Sequence, residues 1–401
     1  MIVRFTTRTL TGVLVMFLAQ GCIGADRPLP PEEALQKAQA RIDRLLAENP
    51  AGPVPLPFHE PSDAQHPLQF WYFTHPLYAH VDRAIRETNP PLNIDTLHIG
   101  DWTNAVQKLT VSLAASTPPD LALVDRGLLA PLVYAGRVQP LDDVLPREFL
   151  DTFVEGILND YRVEGKLYAL PADGFVSMFV VDSAQTESIP ETWEELQSLA
   201  LSVKSKYKNP PIGYLPFLES LWSAGGHVVQ DNRPTIDSQA GLETLTYFNG
   251  LVAAELTTPV ALENPAWSAV ACVNGEIAMT SVSSAEWSSL RKARPTLIPT
   301  GIPGKDGPIG RRGATALVLL RPAAGERKEF VRRLCELVCN ADFQSHEGNL
   351  PLRQSAEAVG FFASHSLRAC RATPLIPMWN AVESEVSSWV SRVYRRSSGG
   401  Q

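Results

Sequence analysis

Between residues 68 and 125, short apolar runs alternate with segments of helical period, and this alternation constrains the fold more than any other feature of the chain. Phe70-Trp71-Tyr72-Phe73 is a continuous apolar run, as expected of a strand covered on both faces. A helical stretch from Leu77 to Glu87 follows, then a second strand from Leu92 to Ile99 and a helix from Trp102 to Ala115. Pro118-Pro119 ends that helix, and Asp120 to Asp125 reads as a strand closing on a carboxylate. Strands separated by helices of this length predict a parallel sheet with crossover helices, hence an α/β class. The C-terminal half shows the same pattern, with strands expected at residues 274–280 and 315–320 and an amphipathic helix at 326–339. A chain of 401 residues is long enough for two such domains.

The first 22 residues have another logic. Arg4 and Arg8 precede an apolar run from Leu10 to Ala19, which stops at Gln20-Gly21-Cys22. A charged start, a short apolar stretch and small residues before a cysteine form an export signal of the lipoprotein type, too short for a permanent span. The expectation is cleavage after Gly21 and acylation of Cys22, which anchors the chain to a lipid membrane. Ala19 stands where such signals usually carry Leu. An ordinary leader containing a cysteine, or an uncut anchor, is the competing reading.

The formal net charge of -8, without a long basic run, argues against nucleic acid as a partner. The four cysteines beyond Cys22 spell out no disulfide framework. Cys335 and Cys339 are one helical turn apart, but no further ligand completes a metal site, so they read as buried apolar residues. No metal and no cofactor is expected.

Residues 22–67 are Pro-rich at both ends around one helix, which Pro31 opens and Glu32 and Glu33 favour at the dipole's positive end. Its stripe of Leu35, Ala38, Ile42, Leu45 and Leu46 suits either a spacer near the membrane or a helix docked on the body or a partner.

Six segments in one order carry a family resemblance: Phe70-Trp71; Pro119-Asp120-Leu121-Ala122 with Gly136 to Leu141; Gly165 to Pro171; Pro190 to Leu196; Asn274 to Thr280; and Gly348-Asn349-Leu350-Pro351. Together they resemble the extracellular solute-binding proteins of ABC importers, in the group typified by maltose- and glycerol-3-phosphate-binding proteins. Physically, most of them fix the fold. Thr192 and Glu195, for instance, have capping-box spacing, and Gly165-Lys166 is a tight turn. The resemblance implies a two-lobe periplasmic-binding-protein fold with a hinge and an interlobe ligand cleft. It also implies a small-molecule solute, an ABC permease as partner, no enzymatic turnover and a place on the periplasmic side of the inner membrane, with anchoring in the outer membrane or at the cell surface as the alternative. The expected division is a leader at 1–21, a linker at 22–67, lobe 1 at 68–172 with part of the C-terminal half, lobe 2 mainly at 173–300, and a return to lobe 1 with C-terminal helices at 301–401.

Ligands of open α/β sheets bind beyond the carboxyl ends of strands. That rule points to Thr74, to Trp102 and Thr103 beside Asp101, to Asp125, to Asp173, and to Ser283 and Ser284. Thr74, Thr103, Ser283 and Ser284 also match ligand-contact positions of the resembled group. Arg312-Gly313 stands where relatives often have two glycines, and its guanidinium is either an anion fork or a surface charge. Arg371 has a similar standing, through the glycerophosphate-binding branch. Rings stack on sugar faces and on quaternary ammonium groups, which adds Tyr214 and Trp222 to Trp102. The expected cargo is a sugar or oligosaccharide, or a glycerol-phosphate derivative such as glycerophosphocholine. Arg312 and Arg371 converging on one cleft would favour the phosphodiester. A glycosidase needs two of Asp101, Asp125, Asp173 and Glu286 paired across a cleft. A surface lipoprotein that binds a protein partner needs a cleft filled by its own side chains.

Overall fold

The computed structural model describes residues 29–50, 66–73, 81–100, 102–154, 156–184, 186, 188–340, 352 and 370–394. In chain order the main elements are α1 (Pro31–Glu48), β1 (Leu68–Tyr72), α2 (Val81–Glu87), β2 (Ile94–His98), α3 (Trp102–Ala114), β3 (Leu121–Asp125), α4 (Arg126–Tyr134) and β4 (Leu170–Pro171). Then come β5 (Phe175–Asp182), α5 (Trp193–Val203), α6 (Phe217–Ser223), α7 (Gln239–Ala253), β6 (Met279–Ser283), β7 (Leu297–Thr300) and β8 (Gly310–Gly313). The last are β9 (Thr315–Leu319), α8 (Glu326–Val338), β10 (Cys370–Arg371) and α9 (Trp379–Tyr394).

The molecule has two α/β lobes, each built on its own sheet. In the first, the strand order is β2-β1-β3-β9-β4. β1 runs parallel to β2 and β3, whereas β9 is antiparallel to β3 and β4. β9 is buried at every position and β3 at all but Asp125, which is why both read as unbroken apolar runs. Arg327 of α8 ties this lobe together by meeting Asp120 at 3.1 Å, while Asp120 also accepts from the Gln69 backbone at 2.8 Å. Cys335 and Cys339 of α8 are fully buried in the same core.

The second sheet is centred on β5, with β6 antiparallel along one side, β7 and β8 on the other, and β10 beside β8. The chain passes between the sheets at residues 172–174 and again at 314. The two crossings touch: the Ala172 N–H donates to the Thr315 carbonyl at 2.8 Å, and the Thr315 N–H donates to Asp173 Oδ1 at 2.9 Å. Beside them, a Cβ added to Gly313 would come within 2.5 Å of the Phe175 ring, so glycine lets that ring lie on β8.

Helix α1 docks on the second lobe. Ala34, Leu35, Ala38 and Ile42 are buried in its core against α9 and α7. Lys37 and Arg392 both sit over the Trp389 ring, and Arg41 pairs with Glu385 at 3.0 Å. The expected return of residues 301–401 to lobe 1 needs correction, because β8 pairs with β5 and α9 packs on α1 and α7. Of the elements named above from that stretch, β9 and α8 return to the first core. The strand expected from Asn274 also starts late, at Met279. Residues 274 and 275 close the preceding helix, with Gly275 at φ +71°, and Ala278 N–H bonds the Pro211 carbonyl outside the ladder.

The Thr192 and Glu195 capping box is present, with the Thr192 hydroxyl accepting from the Glu195 N–H at 3.2 Å and the Glu195 carboxylate accepting from the Thr192 N–H at 3.2 Å. Thr192→Ala is expected to cost about 1 kcal/mol, read as a lower urea midpoint at unchanged slope.

Candidate functional site

The lobes meet where two helix N-termini face each other. β3 ends in Asp125, whose side chain caps α4 by accepting from the Leu128 N–H at 2.9 Å. Opposite it, the first turn of α9 brings Asn380 against Gly127, where a Cβ would come within 2.6 Å of Asn380 Oδ1. One turn further on, Glu383 faces the same gap and reaches Arg311 of β8 at 2.8 Å.

Arg311 is held between two carboxylates, with Glu219 of α6 on its other side at 3.4 Å from Nε. Glu219 is 1% exposed, and neither of its oxygens accepts a hydrogen bond. These charges border a cavity of about 60 Å³ whose walls include Tyr214, Phe217, Glu219, Arg311, Trp379 and Glu383. The buried indole N–H of Trp379 also lacks a hydrogen-bond partner. Two larger hollows, about 810 Å³ and about 610 Å³, lie like this cavity on the second lobe, near Tyr207 and near Trp193, and neither is lined by any of these charged groups.

The electrostatics follow from this packing. Glu219, aided by Glu383, holds the Arg311 guanidinium firmly protonated in spite of burial. Burial, and then the Glu219 charge, push the Tyr214 phenol up. Burial pushes Asp125 up to about 6, with Glu383 adding to it, against the opposing N–H groups of Leu128 and Gly127. A carboxyl raised in the folded state lends stability that is fully present below its unfolded value of 3.8 and is lost as pH rises through about 6. Asp125→Asn keeps an oxygen for the cap and removes the buried charge. It is expected to raise stability at pH 7.5 by on the order of 2 kcal/mol and to lose that advantage near pH 4, as read from denaturant midpoints at the two pH values.

A second interlobe contact involves Arg312. Its fork closes on Asp160 of the first lobe at 2.7 and 3.1 Å, and a third nitrogen reaches the Cys370 carbonyl at 2.5 Å. Arg126 donates to the Asp160 carbonyl from the same side and lies over the Tyr161 ring. The anion that meets Arg312 is therefore a carboxylate of the chain itself. Arg371 is exposed and stands opposite Arg311 in the β8–β10 pairing, so it does not converge with the Arg312 guanidinium. Its charge, after burial, lowers His227.

The other candidates separate into distinct roles. Asp173 pins the crossing through Thr315, Ser284 Oγ accepts from the Val176 N–H, and Ser283 caps the turn that holds Glu286. Gly313 makes room for Phe175. Trp222, 5% exposed, is part of the second lobe's core and so offers no stacking face. Of the aromatic candidates, Tyr214 lines the cavity. Cys22, Thr74, His75, Asp101 and the side chains of Trp102 and Thr103 lie outside the described residues. Sequence reading missed Arg311, Glu219, Asn380 and Glu383. Two adjacent arginines on a strand point to opposite faces, which was the available signal that Arg311 deserved equal weight with Arg312.

The family model described as bacterial extracellular solute-binding protein matches residues 76–323. A binding protein of Brucella abortus is 22% identical over 352 residues, 80% of this chain and 85% of its own. Among solved structures, the GacH receptor of Streptomyces glaucescens, determined unliganded and with acarbose, superposes with a TM-score of 0.67 at 17% identity, covering 83% of this chain and 96% of that one. UgpB of Mycobacterium tuberculosis in complex with glycerophosphocholine gives 0.67 at 17% identity, covering 82% and 97%.

Proposed function

This chain belongs to the bacterial extracellular solute-binding proteins, and from that premise we propose that it captures a small polar solute between its lobes and delivers it to the membrane subunits of an ABC importer. The observation that supports the reading is a cavity on the second lobe, next to the Gly127–Asn380 lobe contact, lined by Glu219 and Trp379, whose carboxylate oxygens and indole N–H are buried without hydrogen-bond partners. Buried polar groups are nearly always satisfied, so unsatisfied ones aimed into a cavity are suited to a polar guest. The pair of crossings at residues 172–174 and 314 supplies the hinge about which the lobes open and shut. In this reading the chain binds its solute without transforming it. Among the described carboxylates singled out from the sequence, Asp125, Asp173 and Glu286 serve as a cap, a strand pin and a turn cap.

Sugars and polyols are favoured over phosphodiesters, because Arg312 is engaged by Asp160 and Arg311 by two glutamates. Acylation of Cys22 would tether the chain beside α1, and so beside the second lobe. A thermal-shift panel of neutral sugars, amino sugars, glycerol-3-phosphate and glycerophosphodiesters on the chain from Cys22 onward tests the reading. A solute present at a hundred times its Kd stabilises by about 2.7 kcal/mol. A saturable shift with one solute class supports it, and a flat panel counts against it. Labelled palmitate incorporated by the full chain, and lost in Cys22→Ser, tests the anchor.

A further inference from the structure

Resting on that solute-binding reading, we infer that the cavity between Glu219, Glu383 and Trp379 selects solutes that carry a protonated primary or secondary amine on a hydroxylated skeleton, an amino sugar or amino polyol.

The buried Glu219 carboxylate points to a cationic donor. Two carboxylates, Glu219 and Glu383, line the cavity and share the Arg311 guanidinium, with the exposed Arg371 beside Arg311 on the neighbouring strand. Of the two, Glu219 is buried at 1% exposure and Glu383 is 40% exposed, and a buried carboxylate is costly unless its charge is paired and its oxygens are also hydrogen-bonded, which those of Glu219 are not. A neutral sugar supplies hydrogen bonds but no counter-charge, and a phosphate adds a negative charge beside Glu219.

The hydrogen-bonding deficit then says which cation. Both Glu219 oxygens are acceptors without donors at 1% exposure. A protonated amine brings two or three N–H donors, whereas a trimethylammonium group brings none. The cavity, about 60 Å³, accepts a group a few water molecules in size. The unpartnered Trp379 N–H in the same wall needs an acceptor, which a neighbouring hydroxyl oxygen provides. Tyr214, Phe217 and Trp379 add rings that suit both a cation and the apolar face of a sugar.

Calorimetric titration of the intact chain at pH 7 with glucosamine, glucose, N-acetylglucosamine and choline tests this, because the first three differ only at one ring position. The expected result is glucosamine bound at least tenfold more tightly than glucose or N-acetylglucosamine, with choline weaker still. Glu219→Gln should then abolish the preference. Glucose or N-acetylglucosamine bound as well as glucosamine overturns the amine inference and leaves the solute-binding reading standing. So does choline bound better than glucosamine. Silence from these four probes alongside a response to maltose also overturns the inference alone, whereas silence from all five overturns both.

Discussion

A chain shortened to begin at residue 66 should lose on the order of 5 kcal/mol, with its thermal midpoint lowered by about 10 °C or more. Such a cut looks harmless in the sequence, where Pro-rich stretches set the first helix apart from the body. In the structure α1 supplies four residues to the second lobe's core, among them Leu35 at 1% and Ile42 at 0% exposure. Burying one large aliphatic side chain stabilises by about 1.5–3 kcal/mol, and removing the helix also uncovers the apolar faces of α9 and α7. The loss is a large share of the 5–15 kcal/mol that holds a typical domain folded. Differential scanning calorimetry of the two lengths checks it. A midpoint unchanged within about 2 °C would mean that α1 does not dock in solution. The single change Ile42→Asp should reproduce most of the effect in the full chain, because it buries an unpaired carboxylate.

Arg327→Ala is the second large effect, expected to cost about 3–5 kcal/mol. Arg327 and Asp120 are 8% and 4% exposed, so truncating the arginine leaves a carboxylate in a nearly dry site, still accepting from the Gln69 N–H but without its counter-charge. The same cut removes a bond from Arg327 to the His66 carbonyl, which fastens the start of β1 to α8. Arg327→Met, similar in length and uncharged, should be as poor alone but should recover when paired with Asp120→Asn. A double-mutant cycle by urea denaturation separates the pair's coupling from lost packing. Additive single effects would show that the ion pair contributes little.

These two cases illustrate what the sequence discloses. β3 and β9 were legible because strands covered on both faces leave continuous apolar runs, β1 was legible from its apolar residues although its burial alternates, with Gln69 exposed, and Thr192 with Glu195 was legible because its geometry is local. α1 was half legible: the stripe of Leu35, Ala38 and Ile42 specifies an apolar face but not what covers it. Asp125 and Tyr214 were singled out from strand-end position and residue type; in the structure Asp125 caps α4 and Tyr214 lines the cavity. Trp222 was misjudged because a tryptophan in the core and one in a cleft look alike in sequence. Glu219 and Glu383 were passed over because a glutamate on a helix ordinarily faces water, and only the meeting of α6, β8 and α9 buries the first beside Arg311. Arg312 attracted the attention due to its neighbour, since pairing across the lobes with Asp160 is decided by tertiary contact.

The decisive measurement is solute binding by a double variant, Gly127→Cys with Asn380→Cys, before and after oxidation. The two positions touch across the lobes, and the cysteines present at 272, 335, 339 and 370 are buried. If the gap between α4 and α9 is the way in, the disulfide shuts it. The solute that shifts the melting of the parent chain should then associate at least a hundredfold more slowly, with recovery on reduction. Equal association rates in the oxidised and reduced forms would place the solute site elsewhere and contradict the interlobe reading.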